Sequence, residues 1–309
     1  MLESHPAKSD NKIRLVSPES IDLQKWEALV NATPHPALYG RKWYLDAMTG
    51  NRWMALVAGD YMWGIPIMVK GPALLKRVIP PYLCRQMGPY SKDPTCLATT
   101  CPEAITFLKK RFLMADLLVN NGWTCGKKLL ERRQNHILWL GNSYDNIIKG
   151  YNRNTQRNIR KARQEDLSIV KSYNTEMFAD FMQAHDPTGI INKIRTQMSR
   201  MVARSIELGC GHIVEAKKGQ TTVALAFYIE DQDRIYFLLC ASDASGKENR
   251  AMFLLIDHII KLHAGTDKFL DFTGSDIPDI ARRNEGFGAV AEDHFYLKLH
   301  LFTRLEASD

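Results

Sequence analysis

No apolar run in the sequence approaches the roughly 18 to 20 residues that a membrane-spanning helix needs, so membrane insertion is not expected. The opening MLESHPAKSDNKIRLVSPES is polar and lacks the apolar centre of a secretory signal. A cytoplasmic protein is therefore expected. Cysteines are few and scattered: Cys84, Cys96, Cys101, Cys125, Cys210 and Cys240 include no CxxC pair and no cysteine–histidine cluster with zinc spacing. That removes a disulfide framework and a metal centre from the expectations and leaves free thiols of a reducing compartment. Under that reading the sequon Asn31-Ala32-Thr33 stays unmodified. Glycine is missing from Tyr90–Cys101, so no glycine-rich phosphate turn leads into the helix expected after it. Acids are missing from Ile147–Arg163, which carries Lys149, Arg153, Arg157, Arg160, Lys161 and Arg163.

What is present is ordinary globular material. Apolar residues make up 45% and charged residues 24% of 309 residues, and Lys plus Arg exceed Asp plus Glu by 41 to 34. The net charge of +7 hints at anionic partners, and the length suggests two domains at ~150 residues each.

Periodicity predicts a repeated order of elements. In the first stretch helices fit Ser20–Asn31 and Ala37–Met48, and strands fit Trp53–Ala58, Met62–Val69 and Leu83–Met87. A helix from Pro102 to Asn120 follows, then strands at Trp123–Leu130 and His136–Leu140. In the second stretch a strand fits Leu167–Ser172, helices fit Thr175–His185 and Ile190–Leu208, and strands fit His212–Ala216, Thr222–Ile229 and Ile235–Cys240. A helix from Gly246 to His263, a strand at Phe269–Phe272, a brief helix at Ile277–Asn284 and a strand at His294–His300 complete it. The boundary is expected near Gly141–Tyr144, giving domains 1–141 and 142–309.

Two segments carry a resemblance. Arg153-Asn-Thr-Gln-Arg157-Asn-Ile-Arg160-Lys161-Ala162 is similar to the R-x-x-I-(R/K)-K-A helix, and Leu270-Asp271-Phe272-Thr273-Gly274-Ser275 with Phe287-Gly288 to the D-F-x-G-S … F-G ending, of the FemAB-like and CelD/BioF2-like branch of the GNAT superfamily. The resemblance implies an α/β protein of two tandem GNAT-like domains, each a mixed, mostly antiparallel sheet flanked by helices. It implies an N-acyltransferase that moves an acyl or aminoacyl group from acyl-CoA, acetyl-CoA included, or from aminoacyl-tRNA to an amine, without a metal. The acceptor would be a small-molecule or nucleotide-linked amine, and the N-terminal domain structural or acceptor-binding. The alternative is a degenerate GNAT fold that binds a ligand without catalysis.

Acyl transfer needs an anion site, carbonyl-oxygen donors and a base. Ser245-Gly246-Lys247-Glu248 reads as a capping box opening a long helix, whose first amides suit a phosphate, with Lys247, Asn249 and Arg250 beside it. Capping boxes open many helices, and Glu248 itself places negative charge there. The backbone at Ala241 and Ser242, where a strand ends, is the expected oxyanion site. Asp271, Glu215 and Tyr296 are the candidate acid–base residues. Each has a structural alternative: a turn cap for Asp271, a solvent-facing site for Glu215 and a core site for Tyr296. Arg157, Arg160 and Lys161 share a helix face with Arg153 and suit a phosphate-bearing acceptor or the end of a tRNA. Ser275 and Asn284 join them as substrate-binding candidates through the resemblance.

Overall fold

The computed structural model describes residues 12–33, 36–72 and 75–300, and the polar stretch before residue 12 lies outside them. The chain forms two compact units: residues up to Arg132 with those from His294 on, and Arg133–Asp293.

The first unit begins with β1 (Arg14–Val16), α1 (Leu23–Asn31), α2 (Lys42–Thr49), β2 (Trp53–Ala58) and β3 (Trp63–Lys70). It continues with β4 (Arg77–Ile79), β5 (Tyr90–Ser91), α3 (Leu97–Arg111) and β6 (Met114–Val119). The Asp22 side chain starts α1 by accepting from the Lys25 amide at 3.1 Å, and Trp26, Leu29 and Val30 turn inward. β2 and β3 form a hairpin with Trp53 opposite Met68 and Ala58 opposite Trp63. β4 pairs antiparallel with β3 and parallel with β6. Trp63, Ile65, Ile67, Leu108 and Leu117 share the core, each fully buried apolar side chain contributing roughly 1.5–3 kcal/mol.

The third helix is not the Pro102–Asn120 segment that the periodicity predicts. The helix starts at Leu97 and stops at Arg111, with Pro102 in its interior. Asp93 opens the helical stretch, its side chain accepting from the Thr95 amide at 2.9 Å. Residues 114–119 are a strand with Ala115, Leu117 and Val119 inward, a period of two. Residues 83–87 and 123–129 are not strands.

The second unit starts with β7 (Leu130–Trp139), α4 (Tyr144–Ile147), α5 (Arg153–Gln164), β8 (Leu167–Ser172), α6 (Thr175–Ala184) and α7 (Ile190–Glu207). Then come β9 (Gly211–Lys218), β10 (Thr221–Glu230), β11 (Arg234–Ser242), α8 (Ala244–Glu248), α9 (Ala251–His263), β12 (Phe269–Asp271) and α10 (Pro278–Gly286). Its sheet runs β7-β12-β11-β10-β9-β8, antiparallel except for β11 beside β12. Leu255, Ile256, Ile259 and Ile260 of α9 bury with Val214, Ala224, Ala226 and Phe237 of the sheet. The last strand, β13 (Val290–His300), pairs antiparallel with β6 over Phe295–His300.

The units repeat one another. Strand, two helices, an antiparallel meander, a helix and a parallel strand occur in both. The units are not the consecutive halves 1–141 and 142–309. Residues 133–139 of β7 complete the second sheet against β12, and His294–His300 of β13 complete the first against β6. Among the described residues no helix is long and apolar enough to cross a membrane.

Candidate functional site

The second unit holds a fork between two parallel strands. β11 pairs with β12 only from Arg234 to Tyr236, against Phe269 to Asp271. Just beyond, Phe227 faces Leu239 while Tyr228 faces Phe237, so Leu238 has no opposite residue and forms a β-bulge. β12 ends at Asp271 and its continuation turns toward β7. The Phe272 amide donates to the His136 carbonyl at 3.0 Å, and the Ser275 amide to the Gln134 carbonyl at 3.0 Å. The Thr273 hydroxyl reaches back, donating to the Phe237 carbonyl at 2.8 Å, and the Phe272 ring lies against that of Phe237. β11 continues to Ser242 along β10, with Ala241 and Ser242 opposite Leu225 and Ala224.

The turn after β11 differs from expectation. Asp243, not Ser245, caps α8: its carboxylate accepts from the Gly246 amide at 2.6 Å. Ser245 lies inside α8, where its hydroxyl accepts from the Asn249 side chain at 3.2 Å. Arg250, at φ +58°, interrupts the helix, so the long helix opens one turn later at the fully buried Ala251. Gly246 lies against β10, and a Cβ there would stand 2.1 Å from the Val223 carbonyl oxygen. The first-turn amide expected to hold a phosphate is thus already served by an acid of the chain itself, which also suits the positive end of the helix. Lys247 and Arg250 are exposed and Asn249 is buried. Asp243→Ala is expected to cost about 1 kcal/mol, and Asp243→Asn much less, in urea denaturation. Equal losses would show that the cap is not what holds this turn.

At the base of the fork Asp271 is fully buried. It accepts from Arg234 at 3.0 Å, from the Asn135 side chain at 2.8 Å and from the Thr273 amide at 2.7 Å. Arg234 also holds Glu292 through two nitrogens, at 2.7 and 3.0 Å. Burial pushes the Asp271 carboxyl above the usual carboxylate range against the pull of Arg234, and Glu292 adds to the rise. Burial works against the Arg234 charge, yet Asp271 and Glu292 hold its pKa above the ordinary value. Asp271 is therefore a turn cap and one partner of a buried ion pair.

Glu215, on β9, is buried and accepts from the Thr222 hydroxyl at 2.6 Å, with Lys217 at 3.7 Å. Tyr296 belongs to the first unit, on β13, and donates to Asp116 at 3.2 Å. The three candidate acid–base residues thus occupy separate hydrogen-bond networks. Ser275 and Asn284 do meet: the buried Asn284 amide donates to the Ser275 hydroxyl at 3.1 Å. On α5, capped by Asn152, Thr155, Ile159 and Ala162 face inward while Arg153, Arg157, Arg160 and Lys161 are exposed. Arg157 donates to Asn154 at 2.7 Å. Sequence reasoning missed Arg234, Asn135 and Glu292, which only strand pairing brings to Asp271. Among the described residues no His/Cys/Asp/Glu group is arranged to hold a metal.

No protein-family model matches the chain, and no curated protein sequence matches it. Solved structures do. The chain is similar to FemX over 92% of its length and 97% of that chain, at 11% identity and a TM-score of 0.65. It is similar to a tandem GNAT protein from the clavulanic acid biosynthesis pathway over 95% of its length and 100% of that chain, at 11% identity and a TM-score of 0.55. It is also similar to L-PGS from Bacillus licheniformis over 94% of both chains, at 11% identity and a TM-score of 0.54. The fold is a tandem GNAT-like fold, with mixed, mostly antiparallel sheets flanked by helices.

Proposed function

We propose that the protein is an N-acyltransferase that moves an acyl or aminoacyl group to an amine by direct attack, at the fork between β11 and β12. The observation that carries this reading is the parting of the two strands after Tyr236 and Asp271, with a bulge at Leu238. A parted edge offers backbone N–H groups to a carbonyl oxygen as negative charge grows on it, the requirement acyl transfer places on a protein. The likeness in fold to FemX, to L-PGS and to a tandem GNAT protein supports the reading.

Two donors are compatible with it, acyl-CoA and aminoacyl-tRNA. The α8 geometry favours the second, because the Asp243 carboxylate already accepts from the Gly246 amide, one of the first-turn donors a coenzyme pyrophosphate would use. The exposed cations Arg153, Arg157, Arg160 and Lys161 suit a phosphate-bearing acceptor or the acceptor end of a tRNA. A second reading, a ligand-binding protein without turnover, draws on the engagement of Asp271, Glu215 and Tyr296 in internal hydrogen bonds. Incubation with labelled acetyl-CoA or with aminoacyl-tRNAs charged with labelled amino acids, against a panel of amines, separates the two. Label passing to an amine supports transfer. Saturable donor binding with no transfer to any amine of the panel supports the second reading and overturns the first.

A further inference from the structure

Between α4, α5 and α9 of the second unit lies a cavity of about 590 Å³, open at one side. Its size is within the roughly 300–1,000 Å³ typical of small-molecule sites. The wall is mostly apolar, built from Tyr144, Ile148, Tyr151 and Ile159. One carboxylate lies deep in it: Asp257, 3% exposed. It is already saturated. The Tyr144 hydroxyl donates to its two oxygens at 2.8 and 3.0 Å, the Tyr151 hydroxyl at 3.1 Å and Arg163 at 2.8 Å. Burial, with Asp257 adding to it, pushes the Tyr144 phenol up to about 12 and the Tyr151 phenol above its ordinary value, so both stay protonated and keep donating.

This arrangement leaves nothing inside to attract a cation. Arg163 and Asp257 cancel, and both phenol protons are committed. The exposed part of the lining carries Lys149 and Arg160 with one acid, Asp145. Lys149 donates to Asn146 at 2.8 Å. Arg160 has no hydrogen bond or ion pair among the described residues, so its guanidinium is the group open to a ligand. Gln156 is spent on the Tyr151 carbonyl at 2.9 Å.

We infer that this cavity binds a small amphiphilic anion, its apolar body against Tyr144, Ile148, Tyr151 and Ile159 and its negative head on Arg160. The inference does not rest on acyl transfer, because it is read by binding alone. Isothermal titration calorimetry of the whole chain with decanoate, decanol and decyltrimethylammonium, each below its micelle concentration, tests it. Decanoate is expected to bind one to one, at least tenfold more tightly than the other two. Arg160→Gln is expected to weaken decanoate about tenfold, and Arg160→Glu further, while leaving decanol unchanged. Both variants are expected to keep the wild-type circular dichroism and Tm, because Arg160 is exposed and has no hydrogen bond or ion pair among the described residues. No saturable decanoate binding, equal binding of the three compounds, or decanoate binding untouched by both variants would overturn the inference.

Discussion

Arg234→Met is expected to cost about 3 to 5 kcal/mol of stability at neutral pH, because it strips the partner from two carboxylates at once. Asp271 is fully buried and Glu292 stands with it around the same guanidinium. A shape-matched apolar side chain fills the space but removes the one guanidinium that both carboxylates share. The loss carries a pH signature. Burial already raises the folded-state pKa of Asp271 above its unfolded value, with Arg234 opposing that rise. A carboxyl raised on folding contributes stability at low pH and loses it as pH climbs through the folded pKa. Without Arg234 the folded pKa rises further and the window of loss extends toward neutrality. The variant should therefore be nearly as stable as wild type at about pH 4, where the buried Asp271 carboxyl can take up a proton, and much weaker at about pH 7. Urea denaturation at the two values measures this. An equal loss at both would mean that the buried charges are not the cause.

Gly246→Ala has the next largest expected effect, about 3 kcal/mol and a fall in Tm of roughly 5 to 10 °C. The added carbon would meet the Val223 carbonyl oxygen at 2.1 Å. That oxygen belongs to β10 and also accepts from the Asp243 amide at 3.0 Å, so it is held from two sides. The helix turn has to lift off the strand instead. A wild-type melting curve for the variant would show that α8 is free to shift, and would reopen the first turn to a phosphate.

The sheet of the second unit was readable because its signals are local. β8 falls at Leu167–Ser172, as the spacing predicts, and the meander β9–β11 extends its predicted strands by one or two residues at each end. Apolar runs bounded by turns at Lys218-Gly219 and at Asp231–Asp233 leave little freedom there. The failures have local causes too. Ser245 with Glu248 has the form of a capping box, yet Asp243 stands first after β11 ends at Ser242 and takes the amide. The kink between α8 and α9 sits at Arg250 in the left-handed region, with no glycine or proline to mark it. Pro102 has the form of a helix start, yet the Asp93-capped turn Pro94–Cys96 already opens the helical stretch that runs on through Leu97–Arg111.

The site was less legible than the fold. Asp271 stands at a strand end that the sequence marks, but its partners Asn135 and Arg234 come from β7 and β11, and Glu292, which shares Arg234 with it, from β13. No spacing in a linear sequence links them. The Asp257 network has the same character: Tyr144, Tyr151 and Arg163 converge from α4, α5 and the link between them on a helix a hundred residues further along the chain. Ser275 and Asn284 are nine residues apart, and both lie in the segment between Asp271 and Phe287-Gly288 that carries the resemblance.

The fork itself is best tested by hydrogen–deuterium exchange of the whole chain, followed by mass spectrometry, with and without saturating donor. With aminoacyl-tRNA, or failing that with acyl-CoA, amides of Phe237–Ser242 should gain protection while the paired stretch Arg234–Tyr236 stays as it was. Protection that spares this edge with both donors, or that appears only on α5, would place the donor elsewhere and contradict acyl transfer at the fork.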